Sequence, residues 1–204
     1  IAAELDCPVE HIVMSPTHTH SGRMPVLGGP RGAAGAQGGP SASASTGEIE
    51  ARILEAVRQA KAKLQPARMG FGRGAAYVNT NRDAIDPETR LWHQGPNSEG
   101  ASDKTLTVIK FETPAGELIA AYANYAMHPI NLYLTGITSA DFPGAASRYV
   151  EEQYDDRAVV IWSQGASGDQ NPLYLRPFNT ALAVKRQAVL ASGKAKTAQE
   201  VSAL

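Results

Sequence analysis

The sequence holds a single cysteine, Cys7, which excludes an internal disulfide and a thiolate metal cage and leaves the redox compartment unread. Long apolar runs are missing as well. Nothing approaches the roughly 18 apolar residues needed to cross a bilayer, so no transmembrane segment is expected. One-signed charge is equally scarce: 19 Lys and Arg against 20 Asp and Glu leave a formal net charge of -1. With no cluster of basic residues, neither a nucleic acid nor an anionic membrane surface is the expected partner. No charged, apolar, small-residue opening marks a signal peptide either. The first residue is Ile1, and Ile1 to Leu5 reads as the last turn of a helix already under way. The sequence is therefore expected to be an internal fragment or a processed form, part of a single domain whose N- and C-terminal portions lie outside it.

What is present starts with a hydrophobic share of 43% and a charged share of 19%, ordinary values for one globular domain. The stretch that organises the rest is Thr17-His18-Thr19-His20-Ser21-Gly22, after the apolar run Ile12-Val13-Met14. Two histidines one residue apart on an extended chain point to the same side. Neutral imidazole suits zinc, but a zinc site takes three or four donors, so the pair supplies at most half of one.

The chain around this motif reads as alternating elements. His11 to Ser15 is expected to be a short buried strand ended by Pro16. Arg23 to Thr46 collapses into glycine, alanine, serine and proline and reads as a mobile loop, either a lid or an insertion without a role. Ser45 and Glu48 have capping-box spacing before a helix that runs to Pro66 on Ile49, Ile53, Val57, Ala60 and Leu64. Met69 to Val78 predicts a glycine-rich strand, Asn79 to Asp83 a polar corner, and Ile85 to Ser102 an irregular stretch. Thr105 to Glu112 and Leu118 to Met127 predict a β-hairpin around the turn residues Thr113 to Glu117. Asp141-Phe142-Pro143-Gly144 opens a helix through about Tyr154, with Pro143 in its first turn. Ala158 to Trp162 is a further strand, followed by a polar loop to Pro172, and Thr180 to Leu204 reads as helical with a division at Gly193. The fold class that fits is α/β (mixed α+β), layered sheets with flanking helices and the site at strand ends.

Three histidines stand out because they follow apolar stretches and sit among small residues or prolines: His18, His20 and His128. At least His18 and His128 are expected to share a metal, against the plainer reading that they hydrogen-bond a loop. His11 and His93 read as surface residues. Asp169, in a glycine loop, is a ligand, a base, or an Asx turn holding its own loop. Arg82, beside Asn81, binds a carboxylate or oxyanion with its planar fork, or pairs with Asp83 or Asp86. Asp141 most simply caps the helix it precedes. Ser21 is a possible nucleophile, but no Gly-x-Ser-x-Gly elbow surrounds it.

Taken in order, Thr17-His18-Thr19-His20-Ser21-Gly22, Asn81-Arg82, the strand ending in His128-Pro129, Asp141 before a helix, and Gly168-Asp169-x-x-Pro172 resemble the N-terminal catalytic domain of the neutral/alkaline (non-lysosomal) ceramidase family. The resemblance covers most of the chain from Ile1 to about Leu173. It implies a zinc-dependent hydrolase of an amide bond, with His18 and His128 as metal ligands, His20 orienting substrate or stabilising the developing oxyanion, and Arg82 lining the pocket. Asp169 would serve as a loop-positioning or acid/base residue, with Asn81, Asn171 and Ser21 facing substrate. The implied substrate is a small-molecule or lipid amide, as in sphingolipid metabolism, and the implied location is secreted or periplasmic. In the family a glutamate and a tyrosine from further downstream complete the zinc shell, and the resemblance places neither of them in this chain. Where ceramidases carry Gly-Asp-Val-Ser-Pro, this chain reads Gly168-Asp169-Gln170-Asn171-Pro172, and Asn171 cannot act as a nucleophile. Zinc lowers the pKa of its water to about 7, so a metal-activated water could still attack an acyl carbonyl.

Two other readings compete. An amidohydrolase barrel also places His-x-His at a strand end, but it would require regular strand and helix alternation where the hairpin is expected. The other is a catalytically inactive ligand-binding or scaffold member of the same family; an esterase would be the nearest active alternative.

Overall fold

The computed structural model describes residues 1–22, 46–133, 135, 137–175, 188–189 and 191–193. The segment from Arg23 to Ser45, with the proposed capping serine, lies outside the described residues, as does most of the alanine-rich stretch from Thr180 onwards. The chain divides into two compact units, Ile1–Ser15 with Gly22–Pro66, and Pro16–Ser21 with Ala67–Leu204.

The first unit is helical. A single turn, α1 (Ala2–Leu5), ends at Asp6 in the left-handed conformation (φ 50°). The long helix α2 (Thr46–Ala62) is anchored to it by Arg58, whose Nε donates to Glu4 Oε2 at 3.0 Å, and by Lys61, whose Nζ donates to the Glu4 carbonyl. The strand expected from His11 to Ser15 does not form. Val9–His11 is a 3-10 turn and Ile12 to Ser15 has no ladder partner among the described residues; Val13 is 84% and Met14 66% exposed. The three apolar residues Ile12, Val13 and Met14 are too short a run to specify a strand without a neighbouring edge to pair with.

The second unit holds two sheets. Strands β1 (Arg68–Ala75), β4 (Thr105–Glu112), β5 (Leu118–Tyr125) and β6 (Val159–Gln164) form a four-stranded sheet in that order. The hairpin β4–β5 is antiparallel, as its alternating strand formers and Gly116 (φ 93°) turn dictate. β5 and β6 are parallel, so a crossover must join them, and the helix α3 (Asp141–Gln153) supplies it and packs on β6. Phe142 of α3 meets Trp162 of β6 edge to face at 5.2 Å between centroids.

Register sorts this sheet into two faces. Phe71, Ile109, Tyr122 and Ile161 lie across from one another in successive strands, flanked by Met69, Phe111, Ala120 and Val159. Trp162 belongs to the opposite face, the one α3 covers. On the first face Met69, Phe71, Val159 and Ile161 are all exposed. The core of the sheet is small-residue packing, Ala121 and Ala123 with Tyr125, Ala126 and Met127, and Tyr125 is fixed by donating its hydroxyl to the Ala76 carbonyl at 2.7 Å.

The second sheet contains β2 (Asn79–Ile85), β3 (Trp92–Asn97) and β7 (Gln170–Pro172), in the order β3-β2-β7. Neither the polar corner at Asn79 to Asp83 nor the irregular stretch from Ile85 to Ser102 is therefore observed as expected. β2 is polar yet central: Asn79, Thr80 and Asn81 are buried, and the Asn79 and Asn81 side chains are hydrogen-bonded, a case where partner groups outweigh strand propensity. β3 tolerates Pro96 because, among the described residues, it is an edge strand paired with β2. A bulge between Asn81 and Asp83 bends β2 at the point where Arg82 leaves it.

Candidate metal centre

His128 follows β5 by three residues and is 6% exposed, held in the turn that Pro129 and Ile130 begin. The Thr17–Ser21 segment comes alongside through main-chain bonds. His20 N donates to the Pro129 carbonyl at 3.1 Å, and Ser139 N donates to the Ser21 carbonyl at 2.9 Å. Thr19 donates its hydroxyl to the Ser139 carbonyl at 2.9 Å, a further tie between this segment and the loop before α3. His18 reaches the cluster in the left-handed conformation, φ 62°, an uncommon one for a side chain with a Cβ.

The result is a triangle of imidazoles. Nε2 of His18 lies 3.3 Å from Nε2 of His128 and 3.3 Å from Nε2 of His20, and the ligand atoms of all three fall within 4.8 Å of one another. No carboxylate or thiol among the described residues joins them. Three ring nitrogens converging without a hydrogen-bonding acid between them is a donor set suited to a divalent metal such as zinc. Burial lowers the His128 pKa, with Arg82 adding to the effect and carbonyls of Ser167 and Gln170 opposing it. Burial also lowers that of His20, helped by His18 and Arg82 and opposed by Asp141. Both rings are thereby favoured in the neutral form that ligates metal.

Arg82 reaches across the second sheet. Its Nε donates to the Gly168 carbonyl at 2.9 Å and its Nη1 to Asn171 Oδ1 at 3.3 Å. With the Gln94 amide oxygen turned towards it, Arg82 also donates to Gln94 from Nη1 at 2.7 Å. It pairs with neither Asp83 nor Asp86. Asp169 is fully engaged: Oδ2 accepts from Asn81 Nδ2 at 2.9 Å, Oδ1 from Gln170 Nε2 at 2.7 Å, and its carbonyl from Arg82 N at 2.8 Å. Asn81 and Asn171 thus belong to the bonding that holds Arg82 and the 168–171 loop. Ser21 is buried, and its hydroxyl has no partner among the described residues, so no base stands ready to activate it. His11 and His93 are exposed and outside the cluster.

One residue near the site, Tyr133, escaped sequence reasoning, and another, Asp141, has a different role from the one expected. Tyr133 sets its ring edge-on to His20 at 5.4 Å between centroids. Asp141 is not a helix cap: in the left-handed region (φ 53°), it accepts from Asn131 Nδ2 at 2.8 Å and Leu132 N at 2.9 Å, as well as from Phe142 N at 2.7 Å. It therefore clamps the loop that carries Tyr133. Only the left-handed backbone lets one carboxylate turn back to that loop, and nothing in the sequence flags it. An open hollow of about 450 Å³, mostly apolar, lies along Asn131, Leu132, Ser139, Asp141 and Phe142.

No protein-family model matches the chain, and no curated protein matches it. Among solved structures it is similar to the neutral ceramidase from Pseudomonas aeruginosa, with 21% identity and a TM-score of 0.48 over 63% of this chain and 21% of that one. It is also similar to a ceramidase complexed with C2, with 22% identity and a TM-score of 0.49 over 64% of this chain and 21% of that one. The chain spans about a fifth of the length of these structures.

Proposed function

We propose that this chain carries part of the active site of a zinc-dependent hydrolase of a carbon–nitrogen (amide) bond, ceramidase-like in its motifs, acting on a small-molecule or lipid amide. The observation that carries the reading is the convergence of His18, His20 and His128 on one point from segments 110 residues apart in sequence. Lysine, arginine and acid pairs occur over the whole surface of ordinary proteins, whereas neutral imidazoles gathered nitrogen to nitrogen gain little without a metal between them.

In this reading His18 and His128 hold the ion. When bound, zinc supplies Lewis-acid polarisation of a carbonyl and activation of water at neutral pH. His20, exposed on the same side, orients the acyl group or donates to the oxygen on which charge develops. Arg82 lowers the proton affinity of both His20 and His128 and presents Nη2, which has no bond among the described residues, to an anionic or carbonyl oxygen. Asp169 positions Asn81 through Oδ2 and Arg82 through its main-chain carbonyl, while its Oδ1 is taken by Gln170 Nε2.

The test is elemental analysis of the purified chain with screening against amides and esters. One zinc per chain, lost in both His18→Ala and His128→Ala together with turnover, is expected. Unchanged zinc in both variants would sink the ligand assignment, and a chain that binds no zinc and cleaves no acyl substrate would favour a binding scaffold.

A further inference from the structure

His128 is held by Gln170 through two contacts to a single atom. The Gln170 carbonyl accepts from the His128 backbone N–H at 2.9 Å and lies 3.2 Å from His128 Nδ1. A carbonyl oxygen can only accept, so the ring contact requires the proton on Nδ1 and leaves the lone pair on Nε2, the atom that faces His18. The carbonyl can do this only if Gln170 itself does not move, and its surroundings see to that. Gln170 is 4% exposed, pairs with Asn81 across β2 and β7, and donates its N–H to the Ser167 carbonyl at 2.9 Å.

Its side chain is locked as well. Oε1 accepts from Ser102 Oγ at 2.8 Å and Asn79 Nδ2 at 3.3 Å, and Nε2 donates to Asp169 at 2.7 Å. Behind these stands Lys104, whose Nζ donates to Ser102 Oγ at 2.9 Å and to Asn79 Oδ1 at 2.8 Å. Lysine is a donor only, so it fixes the sense of the bonds beyond it: Ser102 must turn its hydroxyl proton away, towards Gln170 or Asn79. Such directed networks in a low dielectric are stiff. None of Lys104, Ser102, Asn79 or Gln170 contributes an atom to the imidazole triangle.

We propose that Gln170 is a positioning residue that sets the tautomer and orientation of His128, and that the half-buried Lys104 and Ser102, bonded to the buried Asn79, hold it in place. The inference rests on the metal-centre reading for its consequence, since outer groups of this kind typically change metal affinity by about 10- to 100-fold. It does not rest on that reading for its geometry.

The experiment uses the full chain, metal-free and ¹⁵N-labelled, with Gln170→Met, which fills the volume but forms no hydrogen bonds, and Ser102→Ala, which removes a single hydroxyl. Long-range ¹H–¹⁵N spectra of the histidine rings should show His128 of the wild type as the Nδ1–H tautomer and a mixture in both variants. Cobalt(II) titration followed by d–d absorption should show affinity at least 10-fold weaker in Gln170→Met, with a smaller loss in Ser102→Ala. Should Gln170→Met fail to fold, Ser102→Ala decides alone. A wild-type His128 protonated on Nε2, or variants that retain both the wild-type tautomer and cobalt affinity, would overturn the inference. A wild type with the expected tautomer that binds no metal would defeat the proposed function and leave the positioning intact.

Discussion

The backbone N–H of His20 donates to the carbonyl of Pro129, the residue next to His128, so the two histidine-bearing segments are joined main chain to main chain. The join does not depend on the His20 side chain. His20→Ala should therefore keep the fold and one zinc per chain while turnover falls about 100-fold or more, the usual cost of removing one group that stabilises a developing oxyanion. Zinc stoichiometry and kcat measured on the same sample check this, and loss of zinc would make His20 a third ligand instead.

Acid should destabilise the metal-free chain from the histidine range downwards. His20 and His128 both have folded-state pKa values below the ordinary 6.5, burial being the largest cause. Above 6.5 both states are neutral at these rings and no penalty arises. As pH falls through that value the unfolded chain takes up protons first, so stability drops until the folded-state values are passed. Urea midpoints between pH 7.5 and 5.5 should fall in the wild type, and fall less in a His20→Gln, His128→Gln double variant.

Asp141 makes a distinct prediction about the loop beside the site. Asp141→Ala loses the bonds to Asn131 and Leu132 and leaves a Cβ in a left-handed backbone, so a cost of about 1–3 kcal/mol is expected. Asp141→Asn keeps an acceptor and tolerates that conformation better, and should cost less. Chemical denaturation of the pair gives the ordering; equal losses would count against the clamp.

Gly165 sits where the end of β6 touches the strand leading to His128. A Cβ there would come within 2.9 Å of both Ala126 N and the Tyr125 carbonyl carbon, which are backbone and cannot swing aside. Gly165→Ala should destabilise the chain by about 1–3 kcal/mol and weaken metal binding, because the displaced segment carries His128. Gly168→Ala, with open space around its Cβ position, serves as the tolerant comparison.

The hairpin and the α3 crossover were legible because local signals agreed with the fold: alternating strand formers, turn residues at Thr113 to Gly116, and Pro143 in a first turn. The three histidines were legible as chemistry because their residue type is uncommon after apolar runs. β2 and β3 were not legible. Their strand character comes from hydrogen bonds that Asn79, Asn81 and Asn97 make to distant carbonyls, a property of partners far along the chain. The strand at His11 to Ser15 failed for the converse reason, a local pattern with no edge to join. Asp141 was read as a cap because a left-handed aspartate looks, in sequence, like any helix-capping aspartate, and Tyr133 was missed because its only signal is a ring contact with His20 across more than a hundred residues.

The span between His18 and His128 also bears on the order of events in folding. Closing so long a loop carries an entropic cost that contacts inside the cluster cannot meet at the outset. The β4–β5 hairpin is local and can form early, and the pairings of β7 with β2 and of β6 with β5 must then be in place before the rings can meet. The imidazole triangle is thus among the last features to assemble, and a metal ion added to the unfolded chain should meet scattered single histidines and leave the folding rate unchanged, while slowing unfolding once the native state has trapped it.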